Sequence, residues 1–208
     1  MLRSASFAII FAALTAGLWA QSDTSLQHSE LSAQVTGVFT RGSHSGPTNR
    51  LAKNSAGLLL GYRIHLTHWE AIEFEYGYTR NGQTYITPGT APGAPAVNNL
   101  ISTTMQEAVA NEVITTPRLF GFFQPFFLGG GGVLIFSPHL NTSGILATTQ
   151  TKGAFNYGAG VDFHLGHIGA RAEYQGLIFK IPDFNNPALA INHWTHIAQP
   201  SVGLILTF

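Results

Sequence analysis

AFNYGAGVDFHLGHIGARAEYQ, residues 154–175, decides the fold. The stretch breaks at Gly166-His167, and on either side of the break its residues alternate with a period of two, the signature of strands. Before the break, Phe155, Tyr157, Ala159, Val161, Phe163 and Leu165 oppose Asn156, Gly158, Gly160, Asp162 and His164. After it, Ala170, Ala172, Tyr174 and Ile178 oppose Gly169, Arg171, Glu173 and Gln175. Folded as an antiparallel hairpin about Gly166-His167, the segment sets Asp162 opposite Arg171 and Gly160 opposite Glu173. Opposite charges directly across such a pair attract. One face of the hairpin is aliphatic and aromatic; the other is glycine and pairable charge.

The pattern repeats outward in both directions. In 57–67, Leu58, Leu60, Tyr62, Ile64 and Leu66 oppose Gly57, Leu59, Gly61, Arg63 and His65. In the following segment Ile72, Phe74, Tyr76 and Tyr78 oppose Glu73, Glu75 and Gly77. A turn at Thr67-His68-Trp69 then places Arg63 opposite Glu73 and Gly61 opposite Glu75. Residues 31–40 and the final SVGLILTF (201–208) alternate in the same way. Two segments are less regular. Residues 126–136 are apolar on both faces and filled with glycine, and 104–115 carry Glu107 and Glu112 on opposite parities, which leaves their faces open. The total is about eight strands of roughly ten residues, the length a tilted strand needs to cross a bilayer. Short connections at 67–69, 117–118 and 166–167 alternate with long polar ones at 42–55, 81–102, 137–152 and 182–193, the asymmetry of membrane barrels.

Composition agrees. Of 208 residues only 10% are charged, 12% are aromatic, 23 are Gly and none is Cys, with a formal net charge of zero. Charge at less than half the usual quarter, together with abundant aromatics, excludes a disordered chain. Neutral balance without a basic cluster speaks against nucleic acid, and the lack of Cys removes disulfides, thiolate metal sites and a Cys nucleophile. No uninterrupted run of about 20 apolar residues follows the N-terminus, so no transmembrane helix is expected. The nearest candidate, 119–136, carries Gln124, Pro125 and four consecutive Gly, each unfavourable inside a helix. Residues 1–20 (MLRSASFAIIFAALTAGLWA) have a basic start, a short apolar core and a small final residue. They read as a cleaved secretory signal peptide, leaving 21–208 as one barrel domain.

Alternation alone does not say which face points outward. Gly57, Gly61, Gly77, Gly158, Gly160, Gly169 and Gly203 crowd the polar face; glycine is a poor solvent-facing strand residue but suits the narrow interior of an eight-stranded barrel. The charges on that face also need partners in a poorly hydrated lumen. The apolar face therefore meets lipid, and Arg63, Glu73, Glu75, Asp162, Arg171 and Glu173 are expected to form an ion network inside. Tyr62, Tyr76, Tyr78, Tyr157, Tyr174, Trp69 and Trp194 fall near strand ends or in outward stripes, as an aromatic girdle does. The fold expected is an all-β, closed, antiparallel up-and-down transmembrane barrel.

At this point the chain resembles the small outer-membrane β-barrels of diderm bacteria, the transmembrane domain of the outer membrane protein A superfamily. Three segments carry the likeness: the C-terminal SVGLILTF, the run Gln124-Pro-Phe-Phe-Leu-Gly-Gly-Gly-Gly, and Gly169-Ala-Arg-Ala-Glu-Tyr-Gln. The resemblance implies export to the bacterial outer membrane, with outer-membrane lipid as surroundings. It also implies that Val202, Leu204, Leu206 and Phe208 form the signal read by the barrel-assembly machinery. The sequence is expected to end with the barrel, without a counterpart of that family's peptidoglycan-binding domain.

Other motifs resolve into structure. Gly129–Gly132 lacks the Lys and Ser/Thr of a phosphate loop and reads as strand glycine. His193-x-x-His196 sits where i and i+3 face opposite sides, so no metal is expected, and no cofactor either. Some barrels of this kind modify lipid A with a paired Ser and His; here only Ser201 and His196 invite that comparison. The expected role is a non-enzymatic outer-membrane protein, structural or acting through its long loops in adhesion or ligand contact. The extracellular partner is unspecified. The alternatives are a narrow porin-like channel for small solutes and, after it, a lipid A-modifying enzyme.

Overall fold

A computed structural model of the protein describes residues 29–40, 43–45, 48–52, 54–87, 97–140, 148–182 and 193–208. The expected signal peptide, and the centres of the connections at 81–102, 137–152 and 182–193, lie outside the described residues. The strands are β1 (Ser29–Thr40), β2 (Ser43–Ser45), β3 (Thr48–Ala52), β4 (Ser55–His65), β5 (Glu70–Thr87), β6 (Val97–Thr115), β7 (Phe123–Leu140), β8 (Gln150–Leu165), β9 (Ile168–Lys180) and β10 (Trp194–Thr207). Eight of them close into a ring in the order β5-β4-β1-β10-β9-β8-β7-β6, with β6 pairing back onto β5. Every pairing is antiparallel. The seam is zipped to its last residue: Ser29 N donates to Phe208 O at 2.9 Å and Phe208 N donates to Ser29 O at 3.0 Å. Closure leaves no strand edge within the ring, the condition a sheet must meet in hydrocarbon.

The registers are those expected from the turn positions. Arg63 pairs with Glu73 and Gly61 with Glu75; Asp162 pairs with Arg171 and Gly160 with Glu173. Outward positions such as Leu58, Leu60, Phe74, Tyr76, Val202 and Leu204 are exposed, while Glu30, Arg63, Glu73, Glu75, Asp162, Arg171 and Glu173 are buried. In a soluble barrel the reverse distribution is required, because water tolerates charge better than exposed Leu and Phe. Trp69, in the turn after β4, and Trp194, at the opposite end of the wall, are both exposed at the rims.

Glycine answers a specific steric demand on the inner face. A Cβ on Gly160 would stand 2.4 Å from the Phe126 ring, and one on Gly77 would stand 2.3 Å from a Glu107 oxygen. These glycines are the space into which inward side chains of neighbouring strands fold. The run Gly129–Gly132 divides between the faces. A Cβ on Gly130 or Gly132 would collide with β6 backbone at 2.0 and 2.1 Å, whereas Gly129 opens onto free space.

Two expectations are corrected. Residues 81–102 were expected as a loop, yet β5 runs to Thr87 and β6 starts at Val97, in unbroken register from Glu70↔Ile114 to Thr87↔Val97. The segment at 42–55 likewise contains β2 and β3, and β3 pairs with β5 at Gln83–Ile86, beyond the point where β4 leaves it at Thr79. Each of these strands is formed by its neighbour; low intrinsic strand preference is overridden where a partner edge is already in place. The barrel wall is therefore lopsided. β5 and β6, at 18 and 19 residues, continue past the ring as a sheet carrying β3 and β2, while β4 has only 11 residues.

The open face of 104–115 is also settled. Met105, Glu107, Val109, Asn111 and Val113 turn inward and are buried, leaving Glu112 on the outer face near the short-turn end. The two-faced apolar character of 126–136 has the same origin. Phe126, Leu128, Leu134 and Phe136 fill the lumen, and Phe127 and Val133 are exposed on the outer face.

Candidate functional site in the barrel lumen

Three layers fill the lumen between the short-turn end and the long-loop end. The first is ionic. Arg63 of β4 and Arg171 of β9 reach across the interior to carboxylates on three other strands. The Arg171 guanidinium forks onto Asp162, with Nε donating to Oδ1 at 2.7 Å and Nη2 to Oδ2 at 2.9 Å. Its Nη1 donates to Glu73 Oε2 at 3.0 Å and its Nη2 to Glu30 Oε2 at 3.1 Å. Arg63 donates from Nε to Glu73 and from Nη1 to Asp162 Oδ2 at 2.9 Å. Two guanidiniums and three carboxylates thus form one closed cluster, with His65 Nε2 against Glu30 Oε1 at 3.2 Å on its flank. Phe126 floors the cluster, its ring centroid 4.4 Å from the Arg63 guanidinium carbon and 5.1 Å from that of Arg171. The quadrupole of the ring favours both cations. Both arginines are only 1% exposed and Glu73 is 0% exposed.

The second layer is acidic and held by amides. Gln175 Nε2 donates to Glu75 Oε2 at 2.7 Å and also to Glu173. Asn156 Nδ2 donates to Gln175 Oε1 at 2.8 Å and to Asn111 Oδ1 at 3.0 Å. Gln199 Nε2 donates to Glu107 Oε2 at 3.0 Å. The third layer, toward the long loops, is apolar: Val38, Met105, Val109, Leu134, Phe136, Leu177, Phe179 and Ile197 pack as one buried cluster, with the Phe136 and Phe179 rings stacked 5.5 Å apart.

All six residues expected in the lumen face it. Arg63, Glu73, Asp162 and Arg171 are brought into one cluster, whereas Glu75 and Glu173 stand in the next layer, bound to Gln175 and not to either arginine. Glu30, Glu107 and Phe126 are lumen residues that the reading of the sequence did not include. Glu30 lies one position before the segment read as β1, yet alternation from Leu31 places it inward, opposite Arg63. The C-terminal residues Val202, Leu204, Leu206 and Phe208 are all exposed on the outer face, on a strand paired with both β1 and β9.

Ser201 and His196 are separated by the barrel wall. Ser201 is buried and donates to Gln34 Oε1 at 3.0 Å inside, while His196 Nε2 bonds the outward Tyr157 hydroxyl at 2.9 Å. They form no dyad.

Comparison with known proteins places this geometry. The family model of the outer membrane protein β-barrel domain matches residues 6–204. Among proteins of curated function none matches. Among solved structures, the chain is similar to the outer membrane protein OprG from Pseudomonas aeruginosa, at 12% identity over 88% of this chain and 96% of that one, with a TM-score of 0.62. It is similar to Neisserial surface protein A at 11% identity over 86% and 97%, with a TM-score of 0.59. It is also similar to Ail, the attachment invasion locus protein of Yersinia pestis, solved with the heparin analogue sucrose octasulfate, at 16% identity over 88% and 99%, with a TM-score of 0.54. At these identities the likeness is one of fold.

Proposed function

Because this chain belongs to the outer membrane protein β-barrel domain family, we propose that it is a non-enzymatic integral barrel of the bacterial outer membrane. Its lumen is shut, and its contacts outside the cell are made at the long-loop end, in adhesion or ligand contact. The observation that carries this reading is the filling of the lumen. Ion pairs, amide-bound carboxylates and an apolar layer succeed one another along the axis, and the inward side chains of Arg63, Arg171, Phe126, Phe179, Leu134 and Leu177 are each under 2% exposed. Such a stack supports a lumen closed to water. Contacts at the long-loop end are supported by β5, β6, β3 and β2, which continue as a sheet beyond the ring. With strands of about 9–11 residues sufficient to span, the remaining 7 or so residues of each of β5 and β6 extend roughly 25 Å beyond it.

Planar-bilayer recording with the purified barrel tests the first part. No sustained unitary conductance is expected; stable openings at modest voltage would replace this reading with a porin-like channel gated by the same arginine cluster. Lipid A modification is disfavoured by the placement of Ser201 and His196 on opposite faces.

The C-terminal strand supports a further expectation. Phe208 is the last residue of the seam and turns its ring outward, at the end of an alternating apolar stripe. Deleting Phe208 is expected to leave the chain in the periplasm, unfolded and protease-sensitive, because both the closing hydrogen bonds and the terminal aromatic offered to the assembly machinery are lost. Fractionation checks this; wild-type levels of heat-modifiable protein in the outer membrane would remove that role from Phe208.

A further inference from the structure

The second layer of the lumen carries more negative charge than its surroundings neutralise. Arg63 and Arg171 are engaged with Glu30, Glu73 and Asp162. Two positive charges thus already face three negative ones. Glu75, Glu107 and Glu173 follow along the axis, all buried, and their bonding partners are the neutral amides of Gln175 and Gln199. Burying carboxylates with only neutral donors is costly.

Two independent observations indicate what compensates. One is spatial: Glu73, Glu75 and Glu173 each place a carboxylate oxygen within 4.8 Å of the other two. Oxygens bound to a single Ca²⁺ can stand as far apart as twice the Ca–O distance, about 4.6–5.2 Å, so three carboxylates gathered within 4.8 Å are close enough to share one such ion. The other is a hydrogen-bond deficit. Glu73 Oε1, Glu75 Oε1 and Glu173 Oε2 are sealed from solvent and accept no hydrogen bond, although the opposite oxygen of each carboxylate does. The same holds for Glu107, which lies outside the trio. Its Oε1 has no donor, and its carboxylate folds over Gly77, two residues along β5 from Glu75. The second oxygens are thus left for a partner that is neither arginine nor amide.

We propose that the lumen holds a hard divalent cation, with Ca²⁺ as the probe, ligated by the carboxylates of Glu73, Glu75 and Glu173, with Glu107 contributing charge beside them. Glu73 joins the two layers: Oε2 is taken by the arginines, and Oε1 is left without a hydrogen-bond donor. The site requires only the lumen geometry and is independent of what the long loops bind. Because the layers on either side are closed, the ion enters as the barrel forms and exchanges slowly afterwards.

The test is to fold the whole barrel in detergent with CaCl₂ or with EDTA, desalt it, and measure bound metal by elemental analysis. The temperature of the heat-modifiable transition is read in parallel. About one Ca²⁺ per chain is expected to be retained, with a lower transition temperature for the barrel folded in EDTA. The double variant Glu75→Gln, Glu173→Gln, whose near-isosteric amides allow folding, is expected to weaken Ca²⁺ retention roughly tenfold or more and to lose the EDTA sensitivity. Glu112→Gln, on the outer face, is expected to retain the ion as the parent does. Substoichiometric metal in the parent, or equal retention in the double variant, overturns the site. Conductance is untouched by either result, so failure here leaves the closed-barrel reading to its own test.

Discussion

Arg171→Ala is expected to lower the free energy of unfolding by about 3–5 kcal/mol, the cost of breaking a buried ion pair from one side. The substitution removes four hydrogen bonds to three carboxylates and leaves the buried Glu30, Glu73 and Asp162 to share Arg63. Arg63 already donates to Glu73 and Asp162 and stands 3.8 Å from Glu30. It offsets part of the loss, so the double variant Arg63→Ala, Arg171→Ala is expected to cost more than the sum of the single changes. Arg171→Lys separates charge from geometry. A lysine keeps the positive charge but cannot fork onto Asp162 while reaching Glu73 and Glu30, and its stability is expected to fall between parent and alanine variant. Urea titration of the barrel in detergent, followed by the heat-modifiable band, measures the parent, both single alanine variants, the double variant and Arg171→Lys. A shift below 1 kcal/mol for Arg171→Ala would mean that the cluster is hydrated and contributes little.

Pairings made within one hairpin were legible in the sequence, because turn position and alternation set register without reference to the rest of the molecule. Asp162 against Arg171 and Arg63 against Glu73 are of this kind. The contact of Arg63 with Asp162, 99 positions apart, was not; it exists only once the sheet has closed and opposite walls face each other. Glu107 was hidden for a different reason. Its strand presents apolar inward residues, Met105, Val109 and Val113, so the rule that polar means inward gave no answer there. The apolar third layer breaks the same rule with Leu134, Leu177 and Ile197, which turn inward and pack against one another. The strand character of 81–87 and 97–102 was masked by glycine, asparagine and threonine, since a hairpin extended from an existing sheet needs only backbone pairing to continue.

The assignment of faces, on which the lumen depends, makes a second large prediction. Leu60 lies in the middle of β4, between Ala33 of β1 and Tyr76 of β5, and is exposed on the outer wall. In lipid its neighbours are acyl chains, so Leu60→Arg places a guanidinium near the bilayer midplane at a cost of about 2–4 kcal/mol. The same substitution on a water-facing strand would be close to neutral, within about 0.5 kcal/mol. Leu204→Arg on β10, also outward and joined to Leu60 through their common partner Ala33, is expected to behave alike, and Trp194→Arg at the rim to cost less, because headgroups and water reach it. Equilibrium unfolding in lipid vesicles, read by the heat-modifiable band, gives the three values. The gradient from Leu60 to Trp194 is the decisive part. A membrane around the wall produces a cost that falls from the middle of the strands to their ends, whereas a packing defect would track the local neighbours of each residue and show no dependence on depth.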